Sequence, residues 1–423
     1  MRSPILDYLD TLIAETDHIV DGEPADYIPE LAAADPDTVA VALCTVNGTV
    51  YASGDAEHHF SIQSMSKPFA YALAIEDHGL EGIREKIGVE PSGEAFNELS
   101  LDPESGRPRN PMINAGAIAT HALIGSEDQP ALGRVMDFFG RLTGRDVQLD
   151  QAVADSELAT ADRNLGLAYL LHSAGQLAGD PQESVTGYIR QCAASVTVSD
   201  LALMAATLAN GGVQPRTGER LLCRESTRHL LSVMATCGMY DAAGDWLTSV
   251  GIPAKSGVAG GIIGVLPGQV GVAVFSPRLD QHGNSVRGVE MMQRLSDDLG
   301  LHLMEASRPA RSALRETLRV TLEDQPATIY VLQGDLVLSS IEALVHELIQ
   351  SPPTTEMVVF DMSRVDEVLP VARRTSSEMA AKLLDEGHRI VIVDPESTIE
   401  DFTDSRGRGI ERWEPERLGS ALG

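Results

Sequence analysis

Lysine is scarce in this chain of 423 residues: only Lys67, Lys86, Lys255 and Lys382 carry it, beside 28 arginines. With 62 acidic and 32 basic side chains the formal charge is −30. That balance excludes nucleic acid and anionic membrane surfaces as partners, because like charge repels phosphate. Cysteine is equally sparse. Cys44, Cys192, Cys223 and Cys237 stand far apart with no C-x-x-C, which points away from a disulfide framework and a zinc site and towards thiols in a reducing compartment. His58-His59 follow Glu57, but neighbours on a strand face opposite sides, so no metal and no cofactor is expected. The N-terminus, Met1-Arg2-Ser3-Pro4 then Ile5-Leu6-Asp7-Tyr8, lacks the apolar core of a secretory signal, and a cytoplasmic protein is expected. A membrane-spanning run is also missing. Ser256 to Pro277 is free of charge, but six glycines, Pro267 and Gln269 interrupt it. It reads as two buried strands, Ile262–Leu266 and Val270–Phe275, joined at Pro267-Gly268.

What is present is a composition fit for a folded core, 43% hydrophobic, with length enough for two domains. An apolar run, Thr38–Val46, meets Asn47-Gly48 and continues as Thr49–Ser53, the signature of a hairpin. Helical period then takes over. Met65–Asp77 closes at Gly79, Ala131–Thr143 at Gly144, and Asp200–Ala209 at Asn210-Gly211-Gly212, with Ser199 as the expected N-cap. Ser285 caps a further helix whose stripe is Val289, Met292, Leu295, Leu299 and Leu303. Strands at both ends with helices between them predict an α+β domain over residues 1–308. Past Pro309 the texture changes. A linker is expected over 309–325, and a small α/β domain over 326–423. In it, Ala327–Leu332, Met357–Phe360 and Arg389–Val393 are β-rich, and Ser340–Gln350 and Val371–Asp385 have helical period.

The sharpest local pattern is Gln63-Ser64-Met65-Ser66-Lys67-Pro68. A short strand ends and a helix begins at Ser64, and Pro68 is tolerated in the first turn, where its missing N–H is not required. Three apart, Ser64 and Lys67 share a face. A lysine whose pKa is lowered by desolvation and by the helix N-terminus can take the proton of a serine nucleophile. The same spacing also suits an N-cap serine followed by a solvent-exposed lysine. A second lysine, in Lys255-Ser256-Gly257-Val258, opens the charge-free hairpin, where a K-[ST]-G triplet lines the site of serine enzymes of the β-lactamase and penicillin-binding type. Their S-D-N element is absent, since Leu201 follows Ser199-Asp200.

Residues from about Asp26 to Leu303 resemble the serine-dependent glutaminase family, which has a β-lactamase-like fold and hydrolyses L-glutamine to L-glutamate and ammonia. The resemblance is carried by Asp26-Tyr27-Ile28-Pro29-Glu30-Leu31, by Gln63 to Pro68, and by Asn110-Pro111-Met112-Ile113-Asn114-Ala115-Gly116-Ala117. It continues through Glu157 with Arg163-Asn164, Tyr188-Ile189-Arg190-Gln191-Cys192, Gly238-Met239-Tyr240-Asp241 and Lys255 to Val258. It implies that Ser64 is the nucleophile and Lys67 its base. It also implies an oxyanion hole from the backbone N–H groups of Ser64 and Val258, and proton relay by Tyr240 and Tyr27 near the Ser–Lys pair. Gln63, Asn114, Glu157, Asn164 and Tyr188 are the implied substrate contacts, with Glu157 facing the α-ammonium of glutamine. Homodimers or homotetramers are implied as well.

The last 95 residues or so resemble the STAS family of regulatory domains, through Met357-Val358-Val359-Phe360-Asp361-Met362-Ser363-Arg364-Val365, the helix Val371–Asp385 and the strand Arg389–Val393. A protein or small-ligand partner is implied for it. No serine starts the helix at Val368-Leu369-Pro370-Val371, and Ser376 and Ser377 lie inside it. Two other readings stay open on the sequence: an acyl-serine amidohydrolase of the same fold with a different substrate, and a glutamine-sensing regulator without turnover.

Overall fold

The computed structural model describes residues 3–92, 101–125, 129–305, 313–399 and 402–422. The chain forms two compact units, Met1–Glu305 and Ala306–Gly423. In the first, strands β1 (Ala40–Thr45) and β2 (Val50–Gly54) flank Asn47-Gly48, with Cys44 opposite Val50. A short separate pair follows, β3 (Phe60–Ser61) with β4 (Ser195–Val196). β5 (Ala254–Gly257), β6 (Gly261–Leu266) and β7 (Val270–Phe275) complete an antiparallel sheet in the order β2-β1-β7-β6-β5. The charge-free window is therefore sheet, and among the described residues no helix is long and apolar enough to cross a membrane.

The helices are α1 (Pro4–Thr16), α2 (Pro29–Ala32), α3 (Lys67–Lys86), α4 (Asn114–Ile124), α5 (Ala131–Thr143) and α6 (Gln151–Ala159). After them come α7 (Asp162–Ser173), α8 (Pro181–Cys192), α9 (Val198–Ala209), α10 (Arg224–Cys237), α11 (Ala243–Ser249) and α12 (Val286–Leu299). Alternation along the strands decides what each packs against. Val41, Leu43, Ile262, Val272 and Val274 share a core with Leu9 and Leu12 of α1 and Met291, Met292 and Leu295 of α12. Ala40, Ala42, Cys44, Ile263 and Ala273 face the other way, into a core with α9. That helix is rich in small residues because it lies flush on the sheet: a Cβ on Gly271 of β7 would stand 2.2 Å from the backbone nitrogen of Ala206. Each large apolar side chain buried in these layers contributes about 1.5–3 kcal/mol.

Two helix boundaries differ from expectation and a third is met. α9 is capped by Thr197, not Ser199. Thr197 Oγ1 accepts from the Asp200 N–H at 3.2 Å and the Asp200 carboxylate accepts from the Thr197 N–H at 2.8 Å, a reciprocal box that a serine two residues later cannot form. α12 stops at Gly300, whose φ of 62° ends the helix, so Leu303 lies beyond it and Leu299 and Leu303 are both exposed. The first segment of α3 closes at Gly79 as expected, its φ of 69° breaking the helix, and a second segment runs on to Lys86.

The second unit corrects the expected linker. Pro309 lies outside the described residues, but Leu314–Leu322 is a full strand, β8, antiparallel to β9 (Gln325–Gln333). The two residues between them, Glu323 and Asp324, have φ of 50° and 61°, the left-handed pair of a tight hairpin. The fold continues through α13 (Leu338–Gln350), β10 (Met357–Arg364), α14 (Pro370–Asp385), β11 (Arg389–Val393), β12 (Glu411–Trp413) and α15 (Pro415–Leu422). Strand order is β12-β11-β10-β9-β8, with β9 to β12 parallel. Ile341 and Leu344 of α13 and Ala380 and Leu383 of α14 share one core with Phe360 and Ile392, while Leu418 of α15 joins Val359, Val391 and Trp413 in the other. Ser377 is inside α14, its hydroxyl donating to the Thr403 carbonyl at 2.8 Å.

Candidate active site

Strand β3 delivers the chain into a single turn of 3-10 helix, Gln63–Ser66, from which α3 starts at Lys67 with Pro68 in its first turn. The Ile62 N–H donates to the Ala194 carbonyl at 2.8 Å, and Gln63 then turns at φ 50°. A left-handed non-glycine residue costs about 1–3 kcal/mol and persists where its surroundings fix it. Here the Gln63 amide donates to Ser61 Oγ at 3.2 Å and to Glu157 Oε1 at 3.3 Å. Ser64 and Lys67 are both buried.

Lys67 Nζ donates to the Met112 carbonyl at 3.1 Å and to Asn114 Oδ1 at 2.8 Å. Among the described residues neither Lys67 nor Lys255 has a carboxylate within ion-pair reach, so burial alone lowers the Lys67 pKa to about 8. Lys255, on β5, is 0% exposed; its Nζ donates to the Ser256 carbonyl at 2.7 Å and lies 3.7 Å from the centroid of the Tyr240 ring. Burial first, and the nearby Lys67 second, hold its pKa well below the ordinary range. Tyr240 sits between the two amines, with Lys67 Nζ at 5.9 Å from the same ring, and like Gln63 it is left-handed, at φ 56°. Burial raises its pKa, against the opposing hydrogen bonds of Ser64 and Ser256.

The remaining residues form two connected groups. Asn114 Oδ1, already bonded to Lys67, also accepts from the Tyr188 hydroxyl at 3.2 Å, and Asn114 Nδ2 donates to Asn164 Oδ1 at 3.1 Å. Glu157 on α6 accepts from Gln63 and from the Tyr27 hydroxyl, the latter at 2.7 Å. Burial raises the Glu157 pKa, partly offset by those two donors.

All the residues singled out in the first unit therefore converge, with two qualifications of geometry. Tyr27 is 46% exposed and makes its hydrogen bond to Glu157 rather than to the Ser64–Lys67 pair. Val258 is buried and follows Gly257, which passes so near the turn that an added Cβ would stand 3.2 Å from the Ile62 carbonyl oxygen and 3.4 Å from Gln63 Cβ. Sequence reasoning did not place Cys192 and Ser66 together beside the site. The Cys192 thiol, one turn after Tyr188, lies 3.8 Å from Ser66 Oγ, and burial raises its pKa to about 11. The i, i+4 spacing of Tyr188 and Cys192 on one helix face was the available signal. A buried hydroxyl, two amines of depressed pKa and a phenol make a site suited to proton transfer at a serine nucleophile. The neighbouring carboxylate and amides suit a small substrate bearing both charges of an amino acid.

The family model for glutaminase matches residues 22–304. The glutaminase of Corynebacterium glutamicum is 48% identical over 410 residues, covering 96% of this chain and 98% of its own length. That of a Nostoc species is 50% identical over 307 residues, 72% of this chain and 92% of its own. Among solved structures, the crystal structure of Mglu superposes with a TM-score of 0.87 at 46% identity, covering 94% of this chain and all of that one. A probable glutaminase from Bacillus subtilis, complexed with 6-diazo-5-oxo-L-norleucine, has a TM-score of 0.65 at 28% identity, over 72% of this chain and 98% of its own. The chain belongs to the glutaminase family and is an amidohydrolase that hydrolyses glutamine.

Proposed function

We propose that turnover proceeds through a γ-glutamyl ester on Ser64. The observation that carries this reading is the environment of Lys67: a buried amine whose two N–H groups in the neutral form are taken up by the Met112 carbonyl and Asn114 Oδ1. Its lone pair is left to accept the Ser64 proton. Ser64 Oγ attacks the carboxamide carbon of glutamine, and the backbone N–H groups of Ser64 and Val258 stabilise the oxyanion. Collapse breaks the C–N bond, and the nitrogen leaves as ammonia with the proton Lys67 collected, relayed by Tyr240. Water, activated by the same amine and phenol, then cleaves the ester to glutamate. Tyr27 acts through Glu157, which binds the α-ammonium with Gln63, while Asn114, Asn164 and Tyr188 bind the α-carboxylate. Leaving such buried groups unpaired disfavours simple amides.

The test is ammonia release from glutamine and asparagine, and the colour change of a chromogenic β-lactam on ring opening, with the wild type and with Ser64→Ala. Release from glutamine by the wild type only, with glutamine still bound by the variant, supports this reading. Turnover surviving in Ser64→Ala contradicts it.

The second unit is read as a STAS-like regulatory module, supported by its five-stranded sheet with α13 and α14 in one core. The Nostoc relative matches over 307 residues, 72% of this chain, and the glutaminase family model ends at residue 304, so the module is accessory to turnover and serves to bind a protein or small ligand. A chain ending at Glu305 with no activity at all would contradict that. A cytoplasmic homodimer or homotetramer is the assembly proposed, with Tyr169 and Leu170 of α7 as exposed apolar surface. Sedimentation as a monomer at working concentration would rule it out.

A further inference from the structure

Behind the catalytic turn runs a buried polar chain to which the mechanism above assigns no task. Gln191 on α8 and Ser66 in the turn are each 0% exposed, and His121 on α4 is 3% exposed. The Gln191 amide nitrogen donates to Ser66 Oγ at 3.1 Å, which leaves its carbonyl oxygen to accept from His121 Nδ1–H at 2.9 Å. Burial lowers the histidine pKa, so the ring is neutral and carries its proton on Nδ1, the tautomer that the amide oxygen requires.

Three polar side chains in a packed interior are costly unless each is satisfied, at about 1–3 kcal/mol for an orphaned group. The fold makes room for them. Gly187, one turn before Gln191, approaches the imidazole so closely that a Cβ there would stand 2.2 Å from His121 Nε2. The chain also joins particular elements. α4 begins with Asn114 and α8 carries Tyr188, the two pocket residues that meet at Asn114 Oδ1 beside Lys67. Ser66 lies between Ser64 and Lys67 in sequence.

We infer that Gln191, oriented by His121, is a positioning residue for glutamine hydrolysis: it grips Ser66 and so sets the Ser64–Lys67 turn against the pocket formed by α4 and α8. The inference rests on the reading of Ser64 as nucleophile. Since Gln191 acts through Ser66 and not on the substrate, its loss changes the alignment of attack more than the affinity. Misplacement by about 1 Å costs about a hundredfold in rate.

The experiment measures kcat and KM for glutamine, with thermal melting, on the full chain and on Ser66→Ala, Gln191→Leu, His121→Leu, His121→Asn and Ser64→Ala. Ser66→Ala and Gln191→Leu are expected to lower kcat by about tenfold or more with KM within about twofold of wild type. His121→Leu should follow Gln191→Leu, whereas His121→Asn, whose amide nitrogen stands where Nδ1 stood, should recover kcat to within about threefold of wild type. Ser66→Ala removes a single oxygen and keeps the test open should Gln191→Leu fail to fold. A folded Ser66→Ala with wild-type kcat overturns the inference, as does a loss shared equally by kcat and KM in which His121→Asn is no better than His121→Leu. Ser64→Ala separates the two levels: residual turnover there removes the nucleophile assignment and this inference together, while an inert Ser64→Ala beside a fully active Ser66→Ala removes the positioning role alone.

Discussion

Lys255 holds its side-chain nitrogen 3.7 Å from the centre of the Tyr240 ring. The contact pins one face of a phenol whose backbone is already in a left-handed turn. An uncharged amine over an aromatic face makes a weak N–H···π contact, worth about 0.5–1 kcal/mol. Lys255→Met is therefore expected to lower kcat by about 2- to 5-fold with little change in KM, measured by steady-state ammonia release. An unchanged kcat would mean that Tyr240 needs no such support.

The pH profile follows from Lys67. As a base it must be neutral, and burial brings its pKa down to about 8. Because the charged form is the inactive one, kcat/KM should climb about tenfold per pH unit below that value and level off above it. Lys67→Met should remove both the activity and the slope. A wild-type profile flat from pH 6 to 8.5 would assign the base elsewhere.

Glu157 is held by Tyr27 and Gln63 and is read as the partner of the substrate ammonium. A hydrogen bond to a charged group is worth about 1.5–3 kcal/mol. Glu157→Gln should accordingly raise KM for glutamine by about tenfold to a hundredfold. Glutaramate, which lacks the amino group, should be turned over equally by the wild type and this variant. An equal loss on both substrates would point to a structural role instead.

Gly271 tests the packing of α9 on the sheet. A side chain there meets the backbone nitrogen of Ala206 at 2.2 Å, so trimming Ala206 gives no relief. Gly271→Val is expected to destabilise by about 1–3 kcal/mol in chemical denaturation, through a forced shift of helix or strand. A wild-type midpoint would mean that the helix stands further from β7 than described.

How much of this was legible beforehand depended on the range of the interactions. The turn at Asn47-Gly48 and the helix Ala131–Thr143 carry their signals within a few residues, and both stand where local chemistry puts them. β8 did not, because Arg315, Glu316 and Arg319 interrupt its alternation and most of it is exposed on the sheet edge; a half-solvated edge strand looks like a linker. In the site, Ser64 and Lys67 were legible because lysine is so rare. The bond from Tyr27 to Glu157 spans 130 residues, and no local pattern encodes it. Gln191 was hidden for another reason: a polar residue in a helix reads as surface until tertiary structure shows its face to be buried.

The central claim is that Ser64 is the nucleophile, and labelling by 6-diazo-5-oxo-L-norleucine tests it most directly. A diazo ketone of this shape alkylates an activated nucleophile in the glutamine pocket with loss of nitrogen. Cys192, the nearby thiol, is kept protonated by burial, with a pKa of about 11. Peptide mass spectrometry after inactivation should place the adduct on Ser64, with protection by glutamine and no label in Ser64→Ala. An adduct on Cys192, or labelling that persists in Ser64→Ala, would contradict the account.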